Sequence, residues 1–293
     1  MYDRILVPTD GSDGARAALR TAATLAETFD AGLRIISVAA MQDLPTRVQA
    51  DAEAVYRGAA AEAVQAASDE LEGLPIDVST EVVEADGRVH EAIIEDATAN
   101  DMDLICMGSH GRTGLDRVLL GSVAERTIRS APMPVLTVKR DPLPDPVSSI
   151  LVPTDGSDGA RVAAEHAFAL AAAVGASVRL VHVIDVAALG GEFDTGQIYR
   201  EFERMGERSV EDLEAAAEDA GLADVDSALL TGRPARSIVE DAEEQGVDLI
   251  ALGTRGASGL DRYLLGSVAE KVVRAADVPV LTLNARRQQE RAD

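Results

Sequence analysis

Residues Gly108–Ser122 read GSHGRTGLDRVLLGS, and residues Gly253–Ser267 read GTRGASGLDRYLLGS. Each copy follows a short apolar run, Leu104–Met107 (LICM) or Leu249–Leu252 (LIAL). Each leads into a helix-like segment, Val123–Arg129 or Val268–Arg274. The order is strand, glycine-rich loop, helix. Glycines let backbone N–H groups approach a ligand with no side chain in the way. A helix start adds unpaired N–H groups and a partial positive charge, and both favour an anion such as phosphate. Ser122 and Ser267 are placed to cap the helix and to reach a phosphate oxygen. A single copy would read equally well as a helix end, a turn and a new N-cap. Two copies with the same glycine spacing in one chain favour a phosphate cradle.

The duplication extends far beyond the cradle. Ile5–Arg16 and Ile150–Arg161 are both ILVPTDGSDGAR, an offset of 145. The same offset aligns Gly87-Arg88 with Gly232-Arg233 and Asp103 with Asp248. A period this long means a duplicated domain, not a solenoid repeat. Between the copies lies a proline-rich linker, DPLPDP, residues 141–146. The expected organisation is a first domain over 1–140, a second over 147–285, and a frayed tail over 286–293.

Within each copy strands alternate with helices. Arg4–Val7 is continuously apolar and β-branched, a strand buried on both faces. Pro8 ends it, Asp10 and Gly11 make the turn, and Ser12 or Asp13 caps a helix running to Phe29. Strands follow at Gly32–Ala40, Ile76–Val83, Leu104–Met107 and Val135–Lys139, with helices at Val48–Leu71 and Val89–Asn100. The fold class is therefore α/β: two tandem Rossmann-like domains, each a five-stranded parallel sheet with helices on both faces. Ligands of such sheets bind beyond the carboxyl ends of the strands, where the winding reverses. With the order 3-2-1-4-5, that point lies between strands 1 and 4. Asp10 follows one and Gly108 ends the other, so two separately found signals converge on one crevice.

The chain has 293 residues, is 46% apolar, and carries a net charge of −24 spread over both halves. Only Lys139 and Lys271 among the 27 basic residues are lysine. A diffuse acidic surface with arginine in place of lysine fits a halophilic, high-salt cytosol in which repulsion is screened. It argues against nucleic acid, which needs a basic footprint. No apolar run reaches the ~20 residues of a membrane span and the N-terminus has no signal-peptide pattern, so a cytoplasmic protein is expected. The single cysteine, Cys106, excludes an intrachain disulfide and reads as a small core residue, its counterpart being Ala251.

The glycine pattern is neither GxxxxGK[ST] nor GxGxxG. It is Gly108-x2-Gly111, nine residues, then Gly121-Ser122, repeated at Gly253, Gly256, Gly266 and Ser267. With VPTDGS after the first strand and PVLTV in the fifth, the chain resembles a tandem universal stress protein of the ATP-binding type, over both halves nearly end to end. The resemblance implies ATP, with Mg²⁺, at the strand 1/strand 4 crevice. Asp10 and Asp155 would contact ribose or a metal-linked phosphate, while Pro8, Thr9, Pro153 and Thr154 would line the adenine side. Val38 and Val183 would meet adenine through the backbone, beside Met107 and Leu252 at the ends of the fourth strands. Gly108, His110, Gly111, Arg112, Gly121, Ser122 and Val123 would hold ribose and phosphates. Gly253, Arg255, Gly256, Gly266, Ser267 and Val268 would do so in the second copy. Ser109-His110 becomes Thr254-Arg255 and Arg112-Thr113 becomes Ala257-Ser258, so the two sites need not be equivalent.

Plainer roles stand beside these. Asp10 reads also as a turn residue, His110 as a loop histidine near a ligand, His182 as a core or rim residue, and His90 and His166 as ordinary helix residues. No two histidines have the helical metal-site spacing, and no nucleophile elbow is present. The sequence therefore points to an ATP-binding regulatory protein of the stress response without efficient turnover, no catalytic residue and no dedicated metal site. The alternative is a slow ATPase, or autophosphorylation on Ser109 or Ser122. A purely structural dimerising module is a third reading. The fifth strands, PVLTV and PVLTL, are apolar edges that predict pairing, as an intrachain pseudo-dimer or a homodimer. Placing a charge at Leu136 or Leu281 should change the chain's mass in solution or its stability; no change in either, by light scattering and thermal melting, would count against edge pairing.

Overall fold

The computed structural model describes residues 1–40, 49–85, 87–111, 120–185, 195–254 and 265–284. The chain divides into two compact units, residues 2–143 and residues 144–293. In the first, the elements run β1 (Arg4–Pro8), α1 (Asp13–Phe29), β2 (Gly32–Ala40), α2 (Gln49–Glu70), β3 (Val78–Ala85), α3 (Val89–Ala99), β4 (Leu104–Gly108), α4 (Ser122–Ser130) and β5 (Val135–Val138). The second repeats them as β6 (Ser149–Thr154), α5 (Asp158–Val174), β7 (Ser177–Asp185), α6 (Thr195–Asp219), β8 (Val225–Gly232), α7 (Pro234–Gln245), β9 (Leu249–Gly253), α8 (Ser267–Ala275) and β10 (Val280–Leu283). The α/β class is as expected.

In the first unit β1 pairs with β2 on one side and β4 on the other, β2 with β3, and β4 with β5, all parallel. In the second, β6 lies between β7 and β9, with β8 beyond β7 and β10 beyond β9, again parallel. The central strands are sealed: Ile5, Leu6, Val7, Leu104, Ile105 and Cys106 have no exposed surface. That explains their unbroken apolar runs, since a strand covered on both faces has no polar side to alternate. The alanine-rich face of α1, with Ala15, Ala18 and Ala22 buried, lets the helix lie close on the sheet. Cys106 is a core residue whose Sγ donates to the Ala18 carbonyl at 3.1 Å, and burial pushes its thiol pKa up.

One edge falls later than its sequence suggests. β3 starts at Val78, not Ile76, and runs to Ala85. Pairing with β2 opens where the Leu33 N–H donates to the Asp77 carbonyl, so Pro75 stands before the ladder instead of opening it. His90 and His166 lie in α3 and α5, and burial lowers the His166 pKa to about 4.

Two sets of polar contacts recur in both units. Asp103 Oδ2 accepts from the Asp3 and Arg4 N–H groups at 2.9 and 3.0 Å, tying the start of β1 to the start of β4. Asp248 Oδ2 does the same for Ser148 and Ser149 at 2.7 and 3.0 Å. Across the sheet, Arg34 of β2 grips Asp96 of α3 through two bonds of 2.8 and 2.6 Å and also reaches Glu81 of β3. Arg179 of β7 holds Asp241 of α7 at 2.7 and 2.9 Å and reaches Asp226 of β8. The Asp96 and Asp241 side chains are only 9% and 6% exposed. These forked pairs fix α3 and α7 against the sheet. Removing one charge strands the other away from water, at a cost of about 3–5 kcal/mol. Asp96→Asn or Asp241→Asn should therefore lower the unfolding free energy from urea denaturation strongly, whereas exposed Glu165→Gln, whose pair with Arg161 is a surface contact, should change it by less than about 1 kcal/mol.

Candidate functional site

Beyond β1 the chain turns through Thr9, Asp10 and Gly11. Gly11 adopts φ 78°, a left-handed conformation that glycine tolerates. Thr9 Oγ1 accepts from the Gly11 N–H at 3.1 Å and Asp10 Oδ1 from the Ser12 N–H at 3.0 Å. Ser12 then caps α1 by accepting from the Ala15 N–H. Thr154, Asp155, Gly156 and Ser157 repeat every one of these bonds within about 0.1 Å. The Asp10 carboxylate thus sits in a fixed turn at the C-terminal end of the central strand.

The glycines beyond β4 have different reasons. A Cβ on Gly108 would stand 2.7 Å from the Gly14 carbonyl carbon, and one on Gly253 would stand 2.6 Å from the Gly159 carbonyl oxygen. Those two positions are glycine because the strand end abuts the backbone of the α1 or α5 start. Gly111 is otherwise: its Cβ would meet Asp10 Oδ2 at 2.7 Å, so the bare backbone leaves the space before the carboxylate open. A Cβ on Gly121 would press on the Ser109 carbonyl oxygen at 3.1 Å, an oxygen that accepts from the Gly121 N–H.

The expected cap on the following helix is not made. Gly121 and Gly266 are the N-cap residues of α4 and α8, and no side chain caps either helix. Ser122 and Ser267 are the first helical residues, one position too late for a hydroxyl to fold back on the first turn. The consequence strengthens the anion-site chemistry: the first turn keeps its N–H donors unmatched by a cap and lines a cavity.

That cavity, about 300 Å³ in the first unit, gathers Pro8, Thr9, Asp10, Val38, Met107, Gly108, His110, Gly111, Gly121, Ser122 and Val123. Its counterpart in the second unit, about 350 Å³, gathers Pro153, Thr154, Asp155, Val183, Leu252, Gly253, Gly266, Ser267 and Val268. Arg112, Arg255 and Gly256 lie outside the described residues. Sequence reasoning missed the floor: Ala15, Ser37, Val89, Ile93 and Ala124, with Ala160, His182, Pro234, Ile238 and Ala269 at the corresponding positions. The signal was present, because each pair is separated by the repeat offset of 145. Phe202, Met205 and Ser209 of α6 line the second cavity only.

The described lining of the first cavity has two titratable side chains, Asp10 and His110. His110 Nδ1 lies 2.9 Å from the hydroxyl of Ser109, which is 1% exposed. In the second cavity burial holds the His182 pKa below its ordinary value, outweighing the Thr154 backbone and the Asp155 charge. Among the described residues no group of three His, Cys, Asp or Glu could hold a metal ion. No described helix is long and apolar enough to cross a membrane.

Each unit is thus a wound α/β domain with a cavity at the ends of its two central strands. The model of the Universal stress protein family matches residues 1–139 and 147–284, and the chain belongs to that family. It is similar to a universal stress protein of Methanocaldococcus jannaschii, MJ0531, at 39% identity over 137 residues, 46% of this chain and 80% of that one. A universal stress protein of Mycolicibacterium smegmatis is 29% identical over 297 residues, 96% of this chain and 97% of that one. The crystal structure of a universal stress protein from Archaeoglobus fulgidus shares the fold, with a TM-score of 0.69 at 22% identity over 96% of each chain.

The two kinds of glycine separate by substitution. Gly108→Ala or Gly253→Ala should destabilise the ligand-free protein by about 1–3 kcal/mol, because the methyl meets backbone that cannot step aside. Gly111→Ala should cost less than about 1 kcal/mol, since it meets the end of a side chain. Urea unfolding of the three variants checks the order.

Proposed function

We propose that the protein is an ATP-binding universal stress protein with two nucleotide sites, one per unit, acting as a stress-response regulator without efficient turnover. The observation that carries this reading is the uncapped helix start facing a glycine-lined cavity, built twice with the same Thr-Asp turn opposite. The turn N–H groups of α4 and α8, with Ser122 and Ser267, would take the phosphates. Asp10 and Asp155 would take ribose hydroxyls or a Mg²⁺ shared with the phosphates, and the apolar floor at Ile93 and Ile238 would face the base. The cavity volumes suit a mononucleotide. Arg112 and Arg255 would add positive charge near the phosphates. The acidic, lysine-poor surface fits a cytoplasm of high salt.

A regulator is favoured over an enzyme by the chemistry of the lining. Phosphoryl transfer needs a positioned base or water-orienting group and a cation at the transferred phosphoryl. The described walls supply Asp10 and His110 in the first unit and Asp155, Asp185 and His182 in the second, with no cation among them. One observation favours a second reading: the Ser109 hydroxyl beside His110 Nδ1 is the geometry of an activated acceptor. Incubation with γ-labelled ATP and Mg²⁺ separates the two, since label retained on the protein and lost in Ser109→Ala would establish slow autophosphorylation.

Saturating ATP, at 100 times its dissociation constant, should stabilise the unit that binds it by about 2.7 kcal/mol per occupied site. Gly121→Val with Gly266→Val should abolish both the shift and retention of labelled nucleotide, while far-ultraviolet dichroism stays native. Retention unchanged in that double variant would end the reading.

A further inference from the structure

The two cavities differ on one side. In the second unit α6 comes down onto the sheet at Gly206, where a Cβ would stand 2.7 Å from His182 Cδ2 and 3.0 Å from Leu229 Cδ2. The same helix closes on the Asp155 turn, for a Cβ on Gly156 would stand 2.7 Å from Ser209 Oγ. The cavity therefore continues past Asp155 into a lobe walled by the His182 imidazole, Phe202, Met205 and Ser209. Phe202 is 37% exposed and Met205 54%, large apolar side chains left facing water beside an opening. His182 Nδ1 is buried with no hydrogen-bond partner. In the first unit Ser37 stands at the corresponding position, and no described residue of α2 lines the cavity.

We propose that the second site takes an adenine nucleotide bearing another planar ring on its ribose side, seated in this lobe, while the first site takes the unsubstituted nucleotide. This rests on the nucleotide reading above. An imidazole, a phenyl ring and a thioether are the surfaces on which a flat ring packs. On the nucleotide reading Asp155 faces the sugar, and it lines the same cavity as Phe202, Met205 and Ser209, so a substituent on that edge would meet the α6 wall. Ser37, with a short side chain, offers no such wall.

The probe is 2′/3′-O-(N-methylanthraniloyl)-ATP, whose ring carries an N–H donor, titrated against ATP on the full chain. Gly121→Val confines binding to the second site and Gly266→Val to the first. With the second site alone, the ring-bearing probe should bind about tenfold tighter than ATP. With the first site alone the ratio should be near one. Phe202→Ala with Met205→Ala, both partly exposed positions, should bring the second-site ratio down to that of the first. The same ratio is read from two-site titration of the chain with both glycines intact, should either valine variant fail to fold. A second-site ratio near one with ATP bound, or a high ratio that survives the double truncation, overturns the proposal and leaves the nucleotide reading standing. Binding of neither compound to the intact chain overturns both.

Discussion

The contact on which each unit depends is backbone against backbone: the last residue of β4 against the second residue of α1, and the last of β9 against the second of α5. No side chain fits between Gly108 and Gly14, or between Gly253 and Gly159. The close approach puts the Asp10 turn and the glycine loop on one small space, because both leave from the two strands it joins. A methyl group at either strand end would move the loop away from the helix start. The cavity would then widen where its bare N–H groups must converge. Phosphate recognition by backbone dipoles tolerates little displacement, since the field of a helix end falls off within its first turn. The site is thus a property of how closely two elements pack, more than of any one side chain.

Around that contact the sheet needs fastening, because parallel neighbours far apart in sequence have no hairpin to set their register. The aspartates at the starts of β4 and β9 supply it at one end, each binding two successive N–H groups of the central strand. The buried Arg34–Asp96 and Arg179–Asp241 forks supply it at the flank. α3 and α7 carry Ile93 and Ile238, the floor of the two cavities. A buried ion pair is weak support for net stability, but a bidentate fork specifies where its helix can sit. The same pairs in both units therefore preserve the shape of the pocket.

Much of this was legible in the sequence, for identifiable reasons. The strands showed because sealed strands are apolar without alternation, and the repeat showed because twelve residues recur letter for letter. Crevice residues such as Asp10, Val38, Gly111 and Gly121 were reachable because they sit in turns or at strand ends, where composition is distinctive. The floor was not, because Ile93 and Ala124 look like any core residue of an amphipathic helix. The Ser122 cap misled through a shift of one residue: glycine takes the cap position, and a serine beside it carries the same local signature. Gly108 and Gly111 differ in purpose while being identical in type, and only the neighbouring atoms distinguish them. Nothing in the spacing told that α6 would reach the second cavity, because helix-to-sheet distance depends on Gly206 and its neighbours across the sheet.

The asymmetry of the two units follows from the same reasoning. Duplication preserves what backbone geometry requires, so the turn, the glycine contact and the uncapped helix recur almost atom for atom. It leaves free the side chains that only a particular ligand would read. Ser37 against His182, and Ser109 against Thr254, line an otherwise common frame. A histidine whose Nδ1 is buried without a partner has a cost that a serine at the same place does not. If both units take nucleotide as proposed, the second is accordingly the one whose occupancy should depend most on which nucleotide is offered.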